Sequence, residues 1–566
     1  MATETRERTE EQTAEPVTGS RLLARSLKQH GVDYIFGVVG FPITAFAGDA
    51  QREGIQFIGM RNEQAASYAA QAAGYLLGRP QGCAVVSGPG VVHALSGFSN
   101  AYHNCWPMIL LGGASAIYQN GMGAFQEENQ VEAVRPWAKY AHGIEEAERI
   151  PFYVEQAVRH SIYGRPGPTY LDLPDDVLTH EVDLGRVEVP PRVPDPPRPP
   201  AREEDVRAAL EAIKTAENPL VIVGKGMAWA RAEHEVREFI DKTQLPYLAT
   251  PMGKGVVPDD HPLSVAAART YALQNADLIV LLGARLNWIL HFGKPPRFRP
   301  DVRVVQLDIA AEEIGRNVPA EVALVGDGQE VMRQVNRALD EQPWQYPPET
   351  TWRTGLVQGA QENIAITEQM MADDSVPMNY QRVLKEIEST KPRDAIVVSE
   401  GANTMDIGRT ILMNYDARER LDAGTYGTMG VGLGFAVAAA VATGKRVIAV
   451  EGDSAFGFSG MEVETMCRHR LPITIVVINN NGIGGGISEL SPERGIPPSV
   501  YLPGSRYEKV MEAFPGGRGF FVERPEELIP ALEAANSGEG PALVHIAINP
   551  RARRKPQQFD WHTGRT

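Results

Sequence analysis

Short, nearly continuous apolar runs alternate along the chain with amphipathic stretches, and the alternation recurs in three blocks. In the first block YIFGVVG, GCAVVSGPG, MILLGGAS and TYLDLP read as buried strands. PLVIVGKG, LIVLLGARL and VRVVQLDI do so in the second, and AIVVSEGAN, RVIAVEGDS, ITIVVINNN and ALVHIAI in the third. Strands that are apolar on both faces, each followed by a segment with helical periodicity, predict parallel sheets covered by helices on both sides. The predicted fold class is α/β, with three doubly wound parallel-sheet domains. Ligands in such sheets sit at the carboxyl ends of strands, and nearly every unusual motif in this chain follows one of the apolar runs.

Two stretches interrupt the pattern. VEVPPRVPDPPRPPAREED, residues 187–205, is too dense in proline for a helix and predicts an extended linker. EQPWQYPPETTWR, residues 341–353, is the second, with a polar helical segment after it. The expected organisation is a disordered tail over 1–17, a first domain over 18–186, a central domain over 200–340, a third over 375–550 and a C-terminal tail over 551–566. The opening MATETRERTEEQTAEP is charged and poor in apolar residues, which predicts a tail and not a secretion signal. No run of about 18 apolar residues occurs, so no transmembrane helix is expected.

Charge narrows the partners. The chain of 566 residues carries 55 basic and 71 acidic side chains, a net charge of −16. Such a surface repels nucleic acid and anionic membrane, so neither is an expected partner. A phosphate-bearing ligand must then be met by local cations or backbone N–H groups. The cysteines, Cys83, Cys105 and Cys467, show no metal or disulfide spacing, which predicts a reducing, cytoplasmic setting. Cys105 beside Trp106 reads as core. The terminal HTGRT matches no peroxisomal or endoplasmic-reticulum address.

The strongest chemical signal is Gly452-Asp453-Ser454 after one apolar run and Asn479-Asn480-Asn481-Gly482 after the next, one strand–helix–strand unit away. A carboxylate, an amide oxygen and a backbone carbonyl are hard ligands of the kind Mg²⁺ takes, with diphosphate oxygens and water completing an octahedron. Gly452 lets backbone approach a phosphate closely. Arg61-Asn62-Glu63 ends a strand and opens an alanine-rich helix, where a lone glutamate is usually a cap or a partner of the helix dipole.

These motifs together resemble the thiamine-diphosphate signature. From about residue 18 onward, GAFQEENQVEA, GANTMDIGRT, LDAGTYGTMGVGLGFA and VEGDSAFGFSGMEVETMCR are similar to 2-hydroxyacyl-CoA lyases and, more distantly, to oxalyl-CoA decarboxylases. The resemblance implies thiamine diphosphate and Mg²⁺, with Asp453, Asn480 and Gly482 as metal ligands. It implies that Glu63 shares a proton with N1′ of the aminopyrimidine, so that the 4′-imino group can take the C2 proton. Glu400, Gly401, Ala402 and Asn403 would face the diphosphate together with Gly452, Ser454, Ala455 and Ile483. Tyr426, Gly427, Thr428 and Met429 would meet the pyrimidine. In the family the two cofactor domains come from different subunits, which implies a homo-oligomer, dimer or tetramer.

For the substrate the resemblance implies an acyl-CoA. Oxalyl-CoA decarboxylases carry Tyr-Glu where this chain has Phe125-Gln126, and Phe-Gln is the lyase pattern. Phe41, Gly408, Arg269 and Arg409 match further substrate positions, and the tail RARRKPQQFDW could close over the pantetheine as a lid. Arg165, Lys225, Arg285 and Asp308 match a regulatory ADP site. One departure stands out. Both families carry a tyrosine two residues after the NNxG motif, and this chain reads Gly482-Ile483-Gly484-Gly485-Gly486. The missing ring would admit a branched substrate carbon. The missing hydroxyl would need a substitute, from Glu493 or less readily Glu489, both of which also read as solvated loop residues. The expected catalytic set is Glu63, Glu493 and Gln126. The expected reaction is reversible cleavage of a short branched 2-hydroxyacyl-CoA, such as 2-hydroxyisobutyryl-CoA, to a ketone or aldehyde plus formyl-CoA. The alternative is oxalyl-CoA decarboxylation.

Overall fold

A computed structural model describes residues 17–484 and 495–552. The first block builds a six-stranded parallel sheet from β1 (Tyr34–Gly37), β2 (Gln56–Gly59), β3 (Gln81–Val85), β4 (Met108–Ala114), β5 (Tyr140–Gly143) and β6 (Pro168–Pro174), in spatial order β2-β1-β3-β4-β6-β5. The middle block builds five parallel strands, β7 (Pro219–Val223), β8 (Tyr247–Ala249), β9 (Leu278–Leu282), β10 (Arg303–Asp308) and β11 (Val322–Val325), in order β8-β7-β9-β10-β11. The third block comprises β12 (Ile396–Ser399), β13 (Arg420–Asp422), β14 (Val447–Gly452), β15 (Ile473–Asn479), β16 (Arg518–Val522) and β17 (Ala542–Ala547), in order β13-β12-β14-β15-β17-β16. The first and third sheets thus share one topology. In each sheet the strand order reverses beside its first strand, and that reversal opens a crevice for ligands at the carboxyl ends.

Interior strands are apolar on both faces, as in PLVIV of β7 and ITIVVIN of β15, because helices cover both sides. The first and third sheets share one continuous core through α1 (Glu63–Leu77), which packs on both α2 (Pro89–Asn104) and α4 (Gly432–Thr443). Small residues make that approach possible. A Cβ on Gly434 would lie 2.6 Å from the Ala65 carbonyl oxygen, and one on Gly97 would overlap the Ser67 hydroxyl.

Three sequence expectations change. Val17 is no part of a disordered tail, since it is buried and pairs antiparallel with Val182. The linker ends before residue 205, because a helix spans Glu203–Thr215 with Glu203, Glu204 and Asp205 complementing its N-terminal dipole. Cys105 is only part-buried, at the left-handed C-cap of α2, whereas Trp106 is buried and stacked on Tyr75.

Candidate active site

The third sheet brings the metal motif together. β14 and β15 are neighbours in register, Gly452 opposite Ile478, so Asp453 and Asn480 leave adjacent strand ends. Asp453 opens a short helix, α5 (Asp453–Ser459), and is almost fully buried. Its Oδ1 accepts the N–H of Ser454 at 2.8 Å and its Oδ2 that of Gly482 at 2.9 Å. Burial nevertheless pushes the carboxyl up to about 6. The Asn480 amide nitrogen donates to the Gly484 carbonyl at 3.1 Å, which turns Oδ1 the other way. Asn403 at the start of α3 (Ala402–Ile411) donates to the same carbonyl at 2.9 Å. Asp453, Asn480 Oδ1 and the Gly482 carbonyl are a hard-oxygen donor set of the kind that fits Mg²⁺, and a Cβ on the nearby Gly401 would lie 3.2 Å from the Gly452 nitrogen. Gly401 has a φ of +97°, open to glycine alone at low cost.

Glu400 directly follows β12. The carboxylate turns inward and accepts the N–H groups of Gly430 and, at 2.5 Å, Gly432 at the start of α4. Burial pushes it up to about 7. Glu451 lies on the neighbouring strand, and burial and then the Glu400 charge raise it strongly. Both its carboxyl oxygens are buried without a protein partner among the described residues. Glu400 thus holds the Gly430–Gly432 backbone at the helix N-terminus, a role not legible in the motif.

Glu63 opens α1, yet it is not the cap. Asn62 caps the helix, its side chain accepting the Gln64 N–H at 2.7 Å. That leaves the Glu63 carboxylate for chemistry, and it meets His93 Nδ1 of α2 at 3.3 Å. The ordinary capping explanation for this glutamate therefore fails.

Between these groups runs the segment Gly424–Gly430, held by the other two sheets. Thr425 has all three polar groups engaged. Its N–H donates to Asn104 Oδ1 at 2.9 Å, its hydroxyl accepts from Arg285 at 3.1 Å, and its carbonyl accepts from Trp288 Nε1 at 2.8 Å. Tyr426 stacks on His103 at 4.3 Å, and Thr428 meets the Tyr68 hydroxyl of α1 at 3.4 Å. Gly427 takes a φ of +67° before Met429. Asn104, His103 and Trp288 carry no motif, and nothing in the sequence singles them out.

On the substrate side, Phe41 and Phe125 pack edge to face at 6.0 Å, and both are exposed. Gln126 has a φ of +56°, and its carbonyl accepts the Ser87 hydroxyl at 2.7 Å, so its backbone is clamped to the loop after β3. Gly408 packs inward against Leu412 and Ser399. Arg409 is ion-paired with Asp422 at 3.1 Å and Asp406 at 2.9 Å, so it is largely neutralised already. Arg269 donates to the Ile289 carbonyl at 3.0 Å. Burial, with Arg297 and Arg409 nearby, pushes it down to about 10. Gly484 has a φ of +68°, and no described atom lies within 4 Å of where its Cβ would be. Glu489, Glu493 and the tail from 553 onward lie outside the described residues.

A cleft between the middle and third sheets is lined by Lys225, Arg285, Asn287, Thr250, Asp422 and Thr425. Lys225 follows β7 and Arg285 follows β9, the strands flanking the middle sheet's reversal. Lys225 is half-buried, donates to the Asn104 carbonyl and lies 5.4 Å above the Trp106 ring. Burial, with Arg285 and Arg165 adding repulsion, pushes it down to about 7. Arg165 reaches from the first sheet to Asp308 and Glu313, each at 3.1 Å.

Three family models match this chain: the N-terminal TPP binding domain of thiamine pyrophosphate enzymes over residues 17–133, the central domain over 206–335 and the C-terminal TPP binding domain over 400–546. 2-Hydroxyacyl-CoA lyase 1 of Homo sapiens is 51% identical, with 98% of both chains covered. The chain belongs to the thiamine-pyrophosphate enzymes. Within that family it lies in the branch of the 2-hydroxyacyl-CoA lyases and oxalyl-CoA decarboxylases. The 2-hydroxyacyl-CoA lyase of Oryza sativa subsp. japonica is 44% identical over 95% of this chain and 96% of its own. Oxalyl-CoA decarboxylase of Escherichia coli K12 is 41% identical over 94% and 95%. As a thiamine-pyrophosphate enzyme of this branch, the protein is a carbon–carbon lyase.

Proposed function

We propose that this lyase cleaves short branched 2-hydroxyacyl-CoA, such as 2-hydroxyisobutyryl-CoA, to a ketone and formyl-CoA, with the reverse carboligation also available. The observation that carries the reading is Gly484 itself, with no described atom within 4 Å of where its Cβ would lie and its carbonyl held by Asn403 and Asn480 beside the metal-ligand loop. A substrate carbon with one more methyl than a secondary alcohol fits where relatives place a tyrosine. Apolar discrimination of one methyl is worth about 1–3 kcal/mol, so the preference is clear but not absolute. Phe125-Gln126 supports a neutral hydroxyl over the second carboxylate of oxalyl-CoA.

Asp453, Asn480 and the Gly482 carbonyl hold Mg²⁺, and through it the diphosphate. When bound, thiamine diphosphate supplies the nucleophilic carbon and the electron sink for carbon–carbon cleavage. Glu63 holds the shared proton at N1′ of the aminopyrimidine. Gly427 and Met429 orient that ring. Glu493, directly or through Gln126, takes the 2-hydroxyl proton. Arg269 and Arg409 meet the CoA phosphates. Among the described residues the Glu63 carboxylate hydrogen-bonds only to His93, of its own domain, which suits a cofactor bridging two chains of a homo-oligomer. Lys225, Arg285, Arg165 and Asp308 form an ADP site, supported by the cleft at the middle sheet's reversal.

The test compares kcat/KM for 2-hydroxyisobutyryl-CoA, a linear 2-hydroxyacyl-CoA and oxalyl-CoA. The branched substrate leads, and Gly484→Tyr lowers it more than the linear one. The positive φ makes any side chain at 484 strained, so cofactor affinity of that variant is measured alongside. An unchanged branched-to-linear ratio removes the pocket argument. A fully active Glu493→Ala reassigns the base. Oxalyl-CoA as the best substrate replaces the reading with the decarboxylase one.

A further inference from the structure

We infer that Glu508, His545 and Asn479 form a buried positioning relay that fixes the metal-binding loop Asn480–Gly482. The inference rests on the reading of that loop as the Mg²⁺–diphosphate site, and it assigns a role to three residues outside the motif. Each is inaccessible, with relative exposures of 1% for Glu508, 1% for His545 and 4% for Asn479.

The bonds run in one direction. Arg506 donates to Glu508 Oε1 at 2.6 Å, and His545 Nδ1 lies 2.9 Å from Glu508 Oε2. A carboxylate there fixes the proton on Nδ1. Nε2 then carries the lone pair and accepts from Asn479 Nδ2 at 3.0 Å. With its nitrogen so engaged, the Asn479 amide must present Oδ1 to the loop, and Oδ1 accepts the Asn481 N–H at 2.8 Å. An amide turned the other way would set its nitrogen against an N–H and its oxygen against a lone pair.

The consequence lies one residue further on. Asn481 stands in the left-handed region, φ +60°, a conformation that needs local support. The relay supplies it from below, while Asp453 Oδ2 holds the Gly482 N–H from above. Between these two anchors lie the Asn480 side chain and the Gly482 carbonyl. Tyr507 and Phe521 rings pack on His545 at 5.2 and 4.9 Å and exclude competing water. Groups behind ligands commonly change metal affinity about 10–100-fold when lost.

The experiment titrates Mg²⁺ calorimetrically into metal-free full-length enzyme saturated with thiamine diphosphate. His545→Phe keeps a ring and removes both bonds. His545→Gln keeps an acceptor for Asn479 and a donor for Glu508. We expect His545→Phe to need about 10–100-fold more Mg²⁺, and His545→Gln to stay within about threefold of the parent. At saturating Mg²⁺ both keep near-parental kcat. A merely structural histidine would move both variants alike, so equal Mg²⁺ affinity in the two overturns the inference. Should His545→Phe not fold, Asn479→Ser replaces it under the same criterion. A parent enzyme that binds no Mg²⁺ would remove the site reading itself, and the relay with it.

Discussion

At the scale of single residues, Glu63 carries the sharpest expectation. Asn62 already caps α1, so replacing Glu63 leaves the helix start intact. Glu63→Gln should therefore retain thiamine diphosphate and Tm while kcat falls by at least about 10²-fold, the usual size of a lost acid–base group. A stopped-flow or steady-state assay beside a cofactor-binding titration reads both, and near-parental turnover would reject the role. Asp453→Ala should lose cofactor affinity itself, because the diphosphate is held through the cation. Undiminished binding of thiamine diphosphate in that variant would move the metal elsewhere. These two residues were legible in sequence because their motifs are local. The inward turn of the Glu400 side chain was not legible, since a local motif does not show which way a side chain turns. The partner that turns it inward, the α4 N-terminus, lies some thirty positions away. His545 and Glu508 were invisible, since strand pairing brings His545 beside Asn479 and Glu508 comes from a separate short helix.

At the scale of elements, the interior strands were legible and the edges were not. Five strands escaped the apolar-run reading, β5, β8, β11, β13 and β16, and every one is an edge strand. An edge strand is covered less completely and can be short, as YLA of β8 and RLD of β13 are, so it leaves no continuous apolar run. β2, the remaining edge, was found only through the motif that follows it. Helix contacts are similarly silent in sequence, although they have measurable consequences. Gly434→Ala would place a methyl against the Ala65 carbonyl, backbone that cannot swing aside. The substitution should destabilise by about 1–3 kcal/mol, visible as a lower Tm, despite alanine's better helix propensity. An unchanged or higher Tm would mean that α1 and α4 can separate without cost.

At the scale of the whole molecule, the junction of the three sheets concentrates charge where little water reaches. Lys225 falls from 10.5 to about 7 on folding. The unfolded chain therefore binds the proton more tightly across that interval. The cost to stability is complete below about pH 7 and is relieved as pH rises toward 10.5. Lys225→Met removes the buried cation, so it should raise Tm near neutral pH, and the advantage should shrink on the alkaline side. The same variant should lose any thermal shift on adding ADP. In the parent, ADP should raise Tm through linkage and bind with proton uptake, measurable by calorimetry in buffers of different ionisation enthalpy. No shift at saturating ADP would leave Lys225 and Arg285 as structural charges. A parent-like ADP shift in Lys225→Met would place the nucleotide elsewhere.

Thr425 has a consequence for anyone who would rebuild this protein from parts. Its three polar groups are read by Asn104, Arg285 and Trp288, which belong to the other two sheets. Chimeras that exchange one sheet with a relative's would therefore fail at a point far from their crossover. A graft of the middle sheet must bring Arg285 and Trp288 together, and the recipient must still offer Asn104. The three units look interchangeable in outline, but the lineage can recombine them only where those four residues travel as a set.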